Sequence, residues 1–238
     1  MAGTLTQTQL VAEVLDNLTK RTTATTISGS TLSTMAIRWL NRAQLRVARR
    51  YNLLFRIATA TTVASQQSYS FPGSLRSVFS VRLEDGNDSV KLGICMPWEF
   101  DAVVPKPSTQ TTGRPDLYIP YKTTNTFELF RIPNAAYTMR IRHSFWPTDF
   151  SSASQTSDYT YMDDVLIAFA TMYGWQWLQE YKDRDAWLKF GEEELAGAIK
   201  AEKDSYPDWA PVAKGYGPTS PPLGEYYNNP FVITDPNG

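Results

Sequence analysis

DDVLIAFATMYGWQWLQEY, residues 163–181, is apolar on nearly every side when wound as a helix. Val165, Leu166, Ala168, Phe169, Met172, Tyr173, Trp175, Trp177, Leu178 and Tyr181 leave it no continuous polar stripe. A helix of that kind has to lie at the centre of a bundle or against another subunit. Asp163 and Asp164 stand where the positive end of the helix dipole favours acids. A break is predicted at Asp183 or Arg184, followed by an amphipathic helix over 184–203. Its apolar residues are Trp187, Leu188, Leu195, Ala198 and Ile199, and Glu192, Glu193, Glu194 and Glu202 are read as exposed.

Partners for the apolar helix are found at the other end of the chain. Leu10, Val11, Val14, Leu15 and Leu18 recur at helical spacing over 6–20, after a Thr-rich start suited to capping. A polar run, 22–31, ends that helix. In the next, Ala36, Leu40, Ala43, Val47, Tyr51 and Leu54 form one apolar stripe, with Ser30 or Thr31 as N-cap. Arg38, Arg42, Arg46 and Arg49, spaced i, i+4, i+8 and i+11, make a basic stripe beside it. A solvated face is its plainest reading.

Charge is segregated along the chain. Residues 1–57 carry eight Lys/Arg against two Asp/Glu, net +6, whereas 156–205 carry five against eleven, net −6. Residues 58–155, with nine against eight, are nearly neutral. Segregated charge acts on association more than on fold. Pairing of the Arg stripe with the Glu face, within one subunit or between two, accounts for both features.

From Phe55 onward the pattern is that of a β domain, with Thr, Val and aromatic residues in short runs broken by Pro, Gly and Asn. Strands are predicted at 56–63, 68–71, 76–83, 90–94, 116–121, 126–131 and 137–145, with turns at 84–88 and at Thr124-Asn125. The absence of long crossover helices points to an antiparallel sandwich or barrel. A loop with a short helical turn near Trp98–Ala102 interrupts it.

Equipment for catalysis is sparse. The one histidine, His143, falls in a predicted strand, where a structural role is expected, so no serine-type triad is indicated. One cysteine, Cys95, excludes an internal disulfide and reads as a small buried residue; with a single His it gives no metal-ligand pattern. Helix capping and solvation explain Asp163-Asp164 and Glu192–Glu194 without a carboxylate pair across a cleft. No phosphate-cradling or dinucleotide motif occurs, so neither catalytic residue nor cofactor nor metal is assigned. No apolar run is long enough to span a membrane, and the start of the chain lacks a signal-peptide pattern. The Arg stripe admits phosphate contact, but Trp39 is the only aromatic interleaved in it. Two rival readings remain: a carbohydrate-binding module using Trp98 and Trp146, and a hydrolase relying on Asp163 or Glu193.

Residues 206–238 contain seven Pro and four Gly, which disfavour helix and central strand. They also contain Trp209, Tyr216, Tyr226, Tyr227 and Phe231, unusual in a solvated tail, so an extended docking arm is expected.

The order of the motifs resembles the head-to-tail connector or adaptor proteins of tailed bacteriophages and the tail tubular proteins of short-tailed phages. It is carried by Leu40-Asn41-Arg42-Ala43-Gln44, Thr59-Ala60-Thr61-Thr62, Gln67-Ser68-Tyr69-Ser70-Phe71-Pro72, Asp85-Gly86, Gly113-Arg114-Pro115 with Tyr118, Phe127-Glu128-Leu129 and Ile132-Pro133. A strand closing near His143–Pro147, the aromatic helix and the helix with Trp187 complete it, over about residues 30–205. The pattern departs at His143, where a tyrosine is expected, and the tail exceeds it.

The resulting expectation is an α+β chain with a helical bundle built from the N- and C-terminal segments. An antiparallel β-sandwich or barrel-like domain is inserted and an extended arm follows, giving segments 1–55, 56–150, 151–205 and 206–238. The resemblance implies a homo-oligomeric, dodecameric ring in the virion at the head–tail junction, made in the host bacterial cytoplasm. Its partners would be a portal protein and a tail or nozzle protein, with DNA passing through the lumen and no membrane.

Overall fold

A computed structural model of the protein describes residues 5–19, 26–27, 30–86, 88–104 and 111–204. In chain order the elements begin with α1 (Gln7–Thr19), β1 (Thr26–Ile27), β2 (Ser30–Thr31) and α2 (Leu32–Arg50). There follow β3 (Phe55–Thr61), β4 (Ser68–Ser70), β5 (Leu75–Asp85), β6 (Asp88–Lys91), β7 (Gly93–Ile94) and α3 (Pro97–Val103). Next are β8 (Thr112–Gly113), β9 (Leu117–Tyr121), β10 (Thr126–Phe130), β11 (Ile132–Pro133) and β12 (Thr138–Phe145), then α4 (Asp163–Trp177) and α5 (Tyr181–Asp204). The class is α+β. The described residues group into two compact units, one drawn from the chain before residue 45 and from residue 150 onward, the other spanning Leu45–Asp149.

In the helical unit α4 is central, as its all-round apolarity requires. Ten of its residues, including the consecutive run Val165–Met172, are buried. Gly174 lets its neighbours approach: a Cβ there would lie 2.7 Å from Leu18 Cδ1 of α1 and 3.2 Å from Trp39 Cζ3 of α2. On α5, Gly191 does the same, with Phe169 Cε1 of α4 at 2.9 Å. Leu10, Val14, Leu18, Ala36 and Leu40 are fully buried. Each large aliphatic among them contributes about 1.5–3 kcal/mol by leaving water.

The helix starts obey local rules. Thr6 and Gln9 form a reciprocal capping box on α1, the Thr6 N–H donating to Gln9 Oε1 at 2.9 Å and the Gln9 N–H to Thr6 Oγ1 at 3.4 Å. Thr31, of the two candidates, caps α2 by accepting the Thr34 N–H. α2 stops at Arg50, before the end of its predicted stripe, and Leu54 beyond it accepts the Phe145 N–H through its carbonyl at 3.2 Å.

The break between α4 and α5 comes earlier than Asp183. The Glu180 N–H donates to the Trp175 carbonyl and the Gln179 N–H to the Gln176 carbonyl, with Gln179 at φ 63°. That is a Schellman ending in which glutamine occupies the left-handed position usually held by glycine. Without a glycine to mark it, the stop was invisible in the sequence.

The other unit is a sandwich, not a closed barrel. One sheet has the order β3-β12-β5-β6, all antiparallel; the second is β4-β10-β9-β7, in which β7 runs parallel to β9. β8 and β11 form a further short parallel pair. Val81, Leu83, Met139 and Ile141 of the first sheet meet Tyr69, Tyr118, Phe127 and Leu129 of the second in one core. On the far side of the second sheet, Phe100 and Val104 pack with Ile119, so α3 covers that face.

The predicted strand 90–94 is divided between the two sheets. Leu92, buried in the core, separates β6 from β7. Gly93 permits the crossing, since a side chain there would meet Leu117 Cδ2 at 2.6 Å. β5 carries two bulges opposite β12, between Arg142 and His143 and between Ser144 and Phe145, which bend it and bring Phe79 outward.

Candidate assembly surfaces

The motif residues Leu40–Gln44 have a structural task. Leu40 and Ala43 are buried. Asn41 Oδ1 accepts the Phe150 N–H at 2.9 Å, and Gln44 Oε1, almost fully buried, accepts the Ser157 hydroxyl at 3.1 Å. The same Ser157 oxygen accepts the Tyr159 N–H at 3.1 Å. The start of the chain closes the other side: Leu5 N–H donates to Asp163 Oδ2 at 2.6 Å, and Gln7 N–H to the Gln155 carbonyl at 2.7 Å. The Ser-rich stretch 151–157 is thereby clamped at the entry to α4.

Of the arginine stripe, Arg38, Arg42 and Arg49 are exposed and Arg46 is half-buried. The Arg42 guanidinium lies 4.5 Å over the Tyr173 ring of α4, a cation–π contact within the unit. Among the described residues Arg38, Arg42 and Arg49 have no carboxylate partner. Trp39 is buried toward Gly174, which removes the one aromatic that stood ready to stack on a base.

Successive residues of a helix point about 100° apart, so Glu192, Glu193 and Glu194 fan around α5. Glu193 is exposed, 3.8 Å from Lys189 on the same helix, while Glu192 and Glu194 are half-buried. The structure leaves the arginine and glutamate sets on separate helices with no described ion pair joining Arg38, Arg42 or Arg49 to Glu193 or Glu194.

More conspicuous are aromatic residues that stand at the surface of both units. Trp177, Tyr181 (56% exposed) and Phe190 (43%) reach the surface at the α4–α5 corner and along α5. Trp187, half-buried, stands edge-on to Phe190 at 5.6 Å. Phe190 falls off the stripe formed by Leu188, Leu195 and Ile199, and this was the available signal. In the sandwich, Phe55, Ile57 and Phe79 are exposed on the outer face of the first sheet, with Phe55 and Phe79 5.3 Å apart. β3, at the edge of that sheet, has a strand neighbour on one side only among the described residues.

The residues behind the rival readings are placed as follows. His143 is buried, its Nδ1 3.3 Å from the Ile141 carbonyl. Asp163 holds the start of the chain. Its carboxyl is raised above the ordinary value by burial, lowered by the Leu5 N–H and raised again by Asp164. Arg76 lies over the Trp146 ring at 5.2 Å, whereas Trp98 is open. Cys95 is half-buried, not buried: it packs against the cluster of Phe100, Val104 and Ile119, and burial, then Glu99, raises its thiol pKa. No group of three His, Cys, Asp or Glu among the described residues is placed to hold a metal ion, and no described helix is long and apolar enough to cross a membrane. Trp209, Tyr216, Tyr226, Tyr227 and Phe231 lie outside the described residues.

The helical unit thus combines a polar interior that clamps its own chain with aromatics and arginines exposed on its surface. The chain matches the family model of the SU10 adaptor protein over residues 5–215 and belongs to that family. No curated protein matches it. It is a phage structural adaptor, a component of the virion that contacts other virion proteins.

Proposed function

We propose that copies of this subunit close into a dodecameric ring at the head–tail junction, joining the portal to a tail or nozzle protein and continuing the channel for DNA. The observation that supports this most is the aromatic surface of α4 and α5, with Trp177, Tyr181 and Phe190 outward on a unit that also carries exposed Arg38 and Arg42. Burial of such aromatics supplies the affinity of an interface. The arginine stripe, Arg46 and Arg49 included, meets Glu192, Glu193 and Glu194 of the adjacent subunit and sets register. Exposed pairs contribute only about 0–1 kcal/mol each. DNA passes the lumen without sequence readout.

Mass photometry of the purified protein, alone and with portal rings, tests the reading. A single high-mass species of about twelve subunits is expected, and its loss in Phe190→Glu with unchanged circular dichroism. Monomers under every condition, portal included, contradict it.

A further inference from the structure

We infer that the outer face of the first sheet of the sandwich unit binds the phosphate backbone of duplex DNA. Val81, Leu83, Met139 and Ile141 of β5 and β12 point into the core, so the residues that alternate with them, Arg82, Glu84, Arg140 and Arg142, stand on the outer face. The register sets Arg140 directly opposite Arg82, and Arg82 directly opposite Lys91. Three cations thus line up across β12, β5 and β6. Arg142 lies two residues further along β12, about 7 Å from Arg140.

Like charges directly opposite one another weaken a sheet. The row is relieved only in part: Glu84 meets Arg140 at 3.2 Å, and Arg82 Nη1 donates to the Ser89 carbonyl at 3.3 Å and to its hydroxyl at 3.2 Å. Arg142 and Lys91, both exposed, have no carboxylate partner among the described residues. Asp85 and Asp88, at the hairpin turn, alternate with Glu84 and Ser89 and so fall on the core side of the sheet, and Asp88 is held by Arg114 at 2.6 Å. A cationic row that its own sheet does not neutralise fits a polyanion. Duplex DNA suits it better than an acidic polypeptide, because a phosphate backbone presents its charges at fixed intervals, whereas carboxylate side chains must be ordered one by one. The outward neighbours of the row include the hydroxyls of Thr59, Ser80 and Ser89, which can donate to phosphate oxygens. Contacts of this kind hold DNA without reading its sequence.

The inference deepens the proposed channel role and rests on it for the source of the DNA. Binding is read on the full chain whether or not rings form, so the two readings can fail separately. Fluorescence anisotropy with a labelled mixed-sequence duplex of about 20 base pairs tests it, and weak binding, with a Kd of about 1–100 μM, is expected. The logarithm of the affinity should fall against the logarithm of salt concentration with a slope of about −3, as for three to four phosphates neutralised. Arg142→Ala and Lys91→Ala should each lower that slope by about one, and the pair Arg142→Glu and Lys91→Glu should weaken binding at least about tenfold at low salt. The pair Arg38→Ala and Arg42→Ala, on α2, is expected to leave binding unchanged, as is a second duplex of different sequence. Poly-L-glutamate at equal charge should compete at least about tenfold more weakly than unlabelled duplex. The inference is overturned by absence of binding at low salt, by binding lost with the α2 changes and kept with the sheet changes, by a slope that the sheet changes do not move in chains of native circular dichroism, or by poly-L-glutamate competing as well as DNA.

Discussion

Gln44 and Ser157 meet in the interior of the helical unit, the serine hydroxyl donating to the carboxamide oxygen across 3.1 Å and 113 residues of sequence. The contact joins α2 to the segment that introduces α4, and Tyr159 completes it through its own N–H. A buried hydroxyl left without its acceptor, as Ser157 would be, costs about 1–3 kcal/mol. Gln44→Ala should therefore lower the midpoint of thermal unfolding by about 2–10 °C for a chain of this size. A double-mutant cycle with Ser157→Ala should show coupling of at least about 0.5 kcal/mol. Additive effects would separate the two residues.

Three helical glycines should respond in opposite senses to alanine. At Gly174 the new Cβ would strike Leu18 and at Gly191 the Phe169 ring, and overpacking of this kind costs about 1–3 kcal/mol. At Gly197 it meets nothing within 4 Å, so helix propensity alone acts and Gly197→Ala should stabilise by about 0.5–1 kcal/mol. Urea denaturation of the three variants decides, and destabilisation by all three would place α4 and α5 wrongly.

Gln179 sits in the left-handed region at φ 63° between α4 and α5. A residue with a Cβ pays about 1–2 kcal/mol there, so Gln179→Gly is expected to stabilise by roughly 0.5–1 kcal/mol. A loss of stability in the same denaturation assay would show that the turn is not of the Schellman type.

Asp163 gives the helical unit a pH dependence of known sign. Its folded pKa is raised, with burial the first cause, so the fold holds the proton more tightly than the unfolded chain. The stabilising contribution is present below the ordinary carboxylate value and is lost as pH rises through the raised one. Asp163→Asn keeps an acceptor for the Leu5 N–H without the charge, and should gain on the wild type as pH rises from the ordinary carboxylate value through the raised one. A difference in unfolding midpoint that does not vary with pH contradicts this. Asp163→Ala, which abandons the Leu5 N–H, should cost about 1–2 kcal/mol.

Aromatic and arginine contributions to assembly separate by salt. Phe190→Glu should abolish association at any ionic strength, because it places a charge in an apolar contact. Arg38→Glu, at an exposed position without a described carboxylate partner, should slow association at low salt and matter little above about 0.5 M, where charges are screened. Light scattering against time reads both. Equal salt dependence in the two variants would deny the division of labour.

α4 was legible because a helix apolar on all sides has one kind of place in a soluble fold, and α1, α2 and α5 followed from their stripes. The strands of the sandwich were legible as alternating or aromatic runs, and Asn41 and Gln44 as part of a recurring motif, though not as a clamp. Three features were not legible. The α4 stop uses glutamine where glycine is the usual sign. The sheet change at Leu92-Gly93 depends on a tertiary contact with Leu117 that leaves no local pattern. The surface position of Trp177, Tyr181 and Phe190 is the third, since all-round apolarity allowed a bundle centre or another subunit, and composition does not say which side of a Trp or Phe finds a neighbour within its own chain.

Electron cryomicroscopy of the full chain assembled on portal rings addresses the role of the helical unit most directly. A closed ring is expected in which Trp177, Tyr181 and Phe190 are covered at the boundary between adjacent subunits. A ring held together only through the sandwich units, with those three side chains still facing solvent, would contradict it.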